Sequence, residues 1–96
     1  MMIQVTYFGF LKSKLSKSSE AIRLSDGAKL RDLLLSLADR YGDQVETYVF
    51  DRVSQDVKGD IVVNVNDVPH RRIQGLETQL NEWDRVDLMP MFAGGG

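Results

Sequence analysis

The chain has 96 residues, 43% hydrophobic and 27% charged, with a net charge of −2 and no cysteine. A domain of this size buries roughly two-thirds of its unfolded surface, enough for one core layer but too little for an enclosed catalytic cavity. The charge offers no basic field to recruit a nucleic acid, and the lack of cysteine excludes disulfides, thiolate nucleophiles and thiolate-bound metal.

The first element in chain order is a strand. Ile3, Val5 and Tyr7 alternate with Gln4 and Thr6, the period-2 pattern of a half-buried strand. The run continues through Phe8-Gly9-Phe10, which puts Phe8 on the face opposite Ile3, Val5 and Tyr7. Lys12 to Ser19 is polar and serine-rich and reads as a loop. Ala21 to Ser25 alternates again with Ile22 and Leu24 inward, so a first hairpin is expected. Asp26-Gly27 breaks it. Leu30, Leu33, Leu34, Leu37, Ala38 and Tyr41 then fall on one helical stripe, with Arg31, Asp32, Ser36, Asp39 and Arg40 opposite and Gly42 as the stop.

Val45 to Phe50 is a short apolar patch of open form, and Asp51 to Asp60 reads as a polar loop. Ile61 to Val65 is a β-branched run typical of a central strand. Asn66-Asp67 supplies a turn, and Val68 to Ile73 a short strand with Pro69 suited to an edge. His70-Arg71-Arg72 reads as a solvated strand end. One histidine is too few for a histidine metal site or an acid–base triad, so no metal is expected and His70 is expected on the surface. Gly75 to Leu80 fits a turn or a short helical turn, and Val86 and Leu88 alternate with Arg85 and Asp87 in a last strand closed by Pro90. Trp83 is assigned no role.

One helix with a wide apolar face and several strands needing cover give an α+β fold, a mixed sheet of about five strands under one main helix. The first and last strands are expected as central neighbours. This is the β-grasp, ubiquitin-like arrangement, spanning residues 1–92 and followed by a flexible glycine tail at 93–96. Met1-Met2-Ile3-Gln4 shows no signal peptide pattern, and no apolar run approaches the roughly 20 residues of a membrane span. Neither a membrane nor a nucleic acid is expected as a partner, and the cytoplasm is the expected location.

Gly94, Gly95 and Gly96 lack side chains and take nearly any backbone conformation. They pack no core. They suit a narrow channel in another protein, where a terminal carboxylate would be presented for activation. Apolar Met89, Met91 and Phe92 directly precede them, and with Phe8 these are the candidate partner-docking residues. The competing reading of Phe92 and one methionine is that they close the bottom of the core.

The segments Ile3-Gln4-Val5-Thr6-Tyr7-Phe8, Leu30-Arg31-Asp32-Leu33-Leu34, Val63-Asn64-Val65-Asn66, Gly75-Leu76-Glu77-Thr78-Gln79-Leu80, Asp84-Arg85-Val86-Asp87-Leu88-Met89-Pro90 and Ala93-Gly94-Gly95, in this order, resemble the MoaD/ThiS group of sulfur carriers. The chain is most similar to the MoaD-type small subunit of molybdopterin synthase, and the length of the segment from Val45 to Asp60 favours it over the thiazole-pathway type. The resemblance implies that an ATP-using adenylating enzyme, related to those for ubiquitin, activates Gly96. A sulfurtransferase would leave a thiocarboxylate there, and the tail would carry sulfur into the large subunit of molybdopterin synthase, toward a pyranopterin precursor. It implies no bound cofactor, ATP being used by the activating partner, and it places the catalytic side chains in the partners.

The chain departs from the family pattern in Pro90-Met91, where two prolines are usual, and in Glu82-Trp83-Asp84, where a glycine usually sits. Its third glycine leaves both Gly95 and Gly96 as candidate mature ends. Two further readings stay open. One is a modifier joined through Gly96 to lysines, as small archaeal modifiers are. The other is a β-grasp binding module in which the tail plays no part.

Overall fold

The computed structural model describes residues 1–91. In chain order the elements are β1 (Met2–Tyr7), α1 (Phe10–Leu15), β2 (Ser19–Arg23), α2 (Leu30–Tyr41), α3 (Asp43–Tyr48), β3 (Phe50–Asp51), β4 (Asp56–Val57), β5 (Ile61–Val65), β6 (Val68–Pro69) and β7 (Arg85–Pro90). The described residues form a five-stranded mixed sheet in the order β2-β1-β7-β5-β6 and a small ribbon of β3 and β4. β1 and β2 are the antiparallel hairpin read from the alternation, with Ile3 opposite Ile22. β1 and β7 run parallel side by side, Val5 beside Val86 and Tyr7 beside Leu88. The β-grasp architecture is therefore the observed one.

The stripe of α2 explains why it folds. Leu30, Leu33, Leu34, Leu37 and Ala38 are buried, and they join Ile3, Val5, Tyr7, Ile22, Val63, Val86 and Leu88 in one core. Each buried leucine contributes about 1.5–3 kcal/mol. An isolated helix of this length is marginal in water, so packing against the sheet is what holds it. At its start the backbone N–H of Lys29 donates to the Asp32 carboxylate at 2.8 Å. At its end Gly42 stands at φ +61 and its N–H donates to the Ala38 carbonyl at 2.8 Å.

Several local expectations are corrected. The stretch read as a loop from Lys12 begins inside α1, because Leu11 and Leu15 stand one turn apart and are both buried. The second strand lies at Ser19–Arg23 rather than Ala21 to Ser25. The apolar patch before Phe50 is α3, with Val45, Val49 and Phe50 fully buried. The polar stretch after it is partly ordered as β3 and β4. The strand expected from Val68 to Ile73 ends at Pro69, and His70–Arg72 form a 3-10 turn.

His70 is not on the surface. It is 7% exposed, and its Nδ1 lies 3.2 Å from the Val63 carbonyl. Burial lowers its pKa, against the opposing pull of that carbonyl, so the neutral ring with hydrogen on Nδ1 fits the site. The expected domain boundary between Phe92 and Ala93 lies outside the described residues. Among the described residues no helix is long and apolar enough to cross a membrane.

Candidate functional site

β7 is the strand that leads toward the glycines, and it lies inside the sheet, flanked by β1 and β5. Its far end is fastened from two sides. The Phe8 N–H donates to the Leu88 carbonyl at 3.1 Å, and the Met91 N–H donates to the Asp60 carbonyl at 2.6 Å. Gly9 turns the chain from β1 into α1 at φ +59 and packs on Pro90; a Cβ there would stand 3.2 and 3.3 Å from the proline ring carbons. The exit of the chain from the body is thus set by Phe8, Gly9, Pro90 and Asp60.

Of the expected docking residues, Phe8 is 39% and Met91 50% exposed. Met89 is half-buried and pairs across the strands with half-buried Val62. Phe8, Met89 and Val62 thus fall on the sheet face opposite α2 at the end nearest the tail, as the parity of Phe8 implied. Phe92, Gly94, Gly95 and Gly96 lie outside the described residues. Phe10, not singled out from the sequence, meets Tyr48 edge-on at 5.4 Å between ring centres, and the Lys14 ammonium stands 5.2 Å from the Tyr48 ring centre.

One strand position inward, the same face turns polar. Thr6, Asp87 and Asn64 lie side by side on β1, β7 and β5. Asp87 is buried, although its alternation in the sequence marks it only as outward-facing. Neighbouring side chains on both sides cover it, an effect that a one-strand pattern does not reveal.

On the other face a carboxylate holds the helix to the hairpin. Glu20 Oε2 accepts from the Tyr7 hydroxyl at 2.6 Å and from the Tyr41 hydroxyl, while Oε1 takes Lys17 Nζ at 3.3 Å and an Arg40 guanidinium nitrogen at 3.2 Å. Burial opposes the ionisation of Glu20, but the donors from Tyr41, Tyr7 and Lys17 outweigh it and hold its pKa below the usual value. Burial first, then the Glu20 contact, raises the Tyr7 hydroxyl far above its ordinary range. With Tyr7 1% exposed, this cluster is a clamp between elements.

Among the described residues no three His, Cys, Asp or Glu side chains converge as a metal site. An open hollow of about 440 Å³ against Leu24, Asp26, Gly27 and Asp32 lies at the opposite end of β1 from the chain exit. Trp83 is 58% exposed and sits at φ +60, where an L side chain is strained. That backbone is the physical reason a glycine suits this turn.

A ubiquitin-like β-grasp body whose interior strand runs on toward terminal glycines is the class that this fold and exit define. The chain belongs to the ThiS family, whose model matches residues 5–95. SAMP1 from Haloferax volcanii has the same fold, with a TM-score of 0.82 and 19% identity over 99% of this chain and 100% of that one. The small archaeal modifier protein 1 from Methanosarcina acetivorans is 26% identical over 98% of this chain and 96% of that one, with a TM-score of 0.79. A putative molybdopterin converting factor, subunit 1, from Pyrococcus furiosus is 22% identical over 96% and 99%, with a TM-score of 0.76. No curated protein matches the sequence.

Proposed function

We propose that the chain is a sulfur carrier whose reactive group is the Gly96 carboxylate, and that it serves as the small subunit of a molybdopterin synthase. The observation that carries this reading is the chain exit. An interior strand is fixed as far as Met91 beside an exposed apolar face, and three side-chain-free glycines end the sequence within reach beyond it.

A carboxylate resists nucleophiles because it is anionic and has no good leaving group. On an activating enzyme, a Gly96 oxygen attacks the α-phosphorus of ATP and pyrophosphate leaves, giving an acyl-adenylate. A sulfide sulfur then attacks the carbonyl carbon and AMP leaves, giving a thiocarboxylate. The catalytic side chains belong to the activating enzyme, the sulfurtransferase and the large synthase subunit. Phe8 and Met91, which are exposed, and half-buried Met89 provide the docking surface together with Phe92, because apolar side chains left open to solvent beside a reactive terminus gain most by being covered.

The protein-modifier reading is favoured by the likeness to the small archaeal modifier protein 1 from Methanosarcina acetivorans. Both readings share the adenylate and diverge at the nucleophile, sulfur or a lysine amine. Mass spectrometry of the protein taken from its own cells separates them. Replacement of one terminal oxygen by sulfur supports the carrier, glycine remnants on lysines of other proteins support the modifier, and an unaltered terminus with neither refutes both.

A further inference from the structure

The two edges of the sheet are not alike. β6 has two residues, one of them Pro69, and the chain leaves it at once in a 3-10 turn, so it offers little to a further strand. β2 is five residues long, contains no proline and pairs only with β1 among the described residues. Its bonds to β1 alternate. The Leu24 N–H donates to the Met1 carbonyl at 2.9 Å at one end, and the Tyr7 N–H donates to the Ser18 carbonyl at 2.8 Å at the other. In an antiparallel pair every second residue is bonded in this way, so Glu20 and Ile22 also turn their backbone groups to β1. Those of Ser19, Ala21 and Arg23 point away from the sheet, and all three residues are exposed. Such an edge is a template for one more strand.

The pattern along the edge fits one strand in particular, its own copy. Ser19 and Arg23 stand symmetrically about Ala21, so a second β2, antiparallel on a two-fold axis at Ala21, matches every open group. Ala21 meets Ala21 and Ser19 meets Arg23 of the second copy, each pair exchanging two hydrogen bonds. No like charges stand directly opposite. Glu20 is turned in to Tyr7 and Tyr41, with its side chain 10% exposed, and does not obstruct the approach.

Charge on this edge is self-complementary too. Lys17 and Arg40 stand at the start of β2, where both reach Glu20, and exposed Asp26 and Asp32 flank the hollow at its end. The Asp26 carboxylate is 95% exposed even with the Met1 ammonium at 3.2 Å. Antiparallel pairing lays the basic end of each copy against the acidic end of the other.

We propose that the β2 edge binds a second copy of the chain, giving a two-fold dimer with one sheet continuous through both. The axis stands perpendicular to the sheet, so the β7 strands of the two copies point in opposite directions and both chain exits stay open. Pro69 blocks the far edge, so pairing closes at two copies and does not run on as a fibre. The contact is smaller than the roughly 1,200 Å² of a stable interface, and the dissociation constant should be on the order of 100 µM.

The test is sedimentation equilibrium of the full chain from about 10 µM to about 2 mM, at about 50 and 500 mM KCl. Wild type should pass from monomer to dimer across this range, less readily at high salt. Ala21→Lys sets two ammonium groups against each other at the axis and should weaken the dimer more than about tenfold. Ala21→Pro removes an outward N–H without touching a bond to β1 and should do the same. Melting temperatures confirm that each variant is folded, and if the proline variant is not, the exposed Ala21→Lys decides. A wild-type chain that stays monomeric at the highest concentration overturns the proposal, including the case in which an extended segment of a different protein takes the edge. So does a dimer that Ala21→Lys leaves as tight as wild type, because that dimer uses another face, such as the one bearing Phe8.

Discussion

Gly9 and Gly42 offer a matched pair of perturbations. Gly9 joins β1 to α1 at φ +59 and ψ −138, and Gly42 joins α2 to α3 at φ +61 and ψ −128. The backbones are nearly the same but the surroundings differ. A Cβ at Gly9 would stand 3.2 Å from the Pro90 ring, whereas at Gly42 it would meet nothing within 4 Å. Placing an L residue in this region costs on the order of 1–3 kcal/mol, offset by about 0.4–1 kcal/mol from the reduced freedom of the unfolded chain. Gly42→Ala should therefore destabilise by about 1–2 kcal/mol. Gly9→Ala should add about 1 kcal/mol for displacing the proline ring. The difference should appear as a melting temperature about 4–8 °C lower for Gly9→Ala than for Gly42→Ala. Urea and thermal unfolding followed by circular dichroism measure both. Pro90→Ala, made in the Gly9→Ala chain, should recover most of the excess and should recover none in the Gly42→Ala chain. If Gly9→Ala proves no more costly than Gly42→Ala, the contact that fixes the chain exit is not the one described.

Leu34, fully buried under the sheet, should lose about 2–5 kcal/mol on substitution by alanine; a loss below 1 kcal/mol in urea unfolding would contradict the placement of α2. Glu20 predicts an acid sensitivity. Its folded-state pKa lies below the ordinary value, so its contribution is present above the ordinary carboxylate range and is lost as pH falls through the folded value. Melting temperature should drop between about pH 5 and pH 3, with a shallower drop in Glu20→Gln, and superimposable profiles would count against the clamp. Removal of Gly95-Gly96 should change the melting temperature by less than about 2 °C, since glycines contribute no side chain to a core. The same deletion should abolish pyrophosphate release with the activating enzyme, and retained release would show that the terminus is not the substrate.

The central strands and α2 were legible because each carries a full apolar period on one face. Ile3, Val5 and Tyr7 repeat every second residue, and Leu30, Leu33, Leu34 and Leu37 follow the helical turn, so burial is written locally. α1 was hidden because only Leu11 and Leu15 mark it, among lysines and serines that favour a loop reading. His70 was misplaced for another reason. Its burial depends on the chain turning at Pro69 to bring the ring against Val63, a contact between elements that no window of sequence contains. The exit was half legible. The parity of Phe8 placed it outward, but the packing of Gly9 on Pro90 joins residues 81 positions apart and requires the parallel pairing of β1 and β7. Asp87 reads as an ordinary outward residue, and its pairing with Thr6 on β1 and Asn64 on β5, beside Arg85 on its own strand, is not visible in the alternation.

The parallel pairing of β7 with β1 has a mechanical consequence. A pull on the end of the chain is directed along β7, so the hydrogen bonds to β1 and β5 are loaded together in shear instead of opening one after another. A strand at the edge could be peeled away by an enzyme tugging on the terminus. Held between two neighbours, this one resists traction, and the body can withstand a load on its end without unravelling.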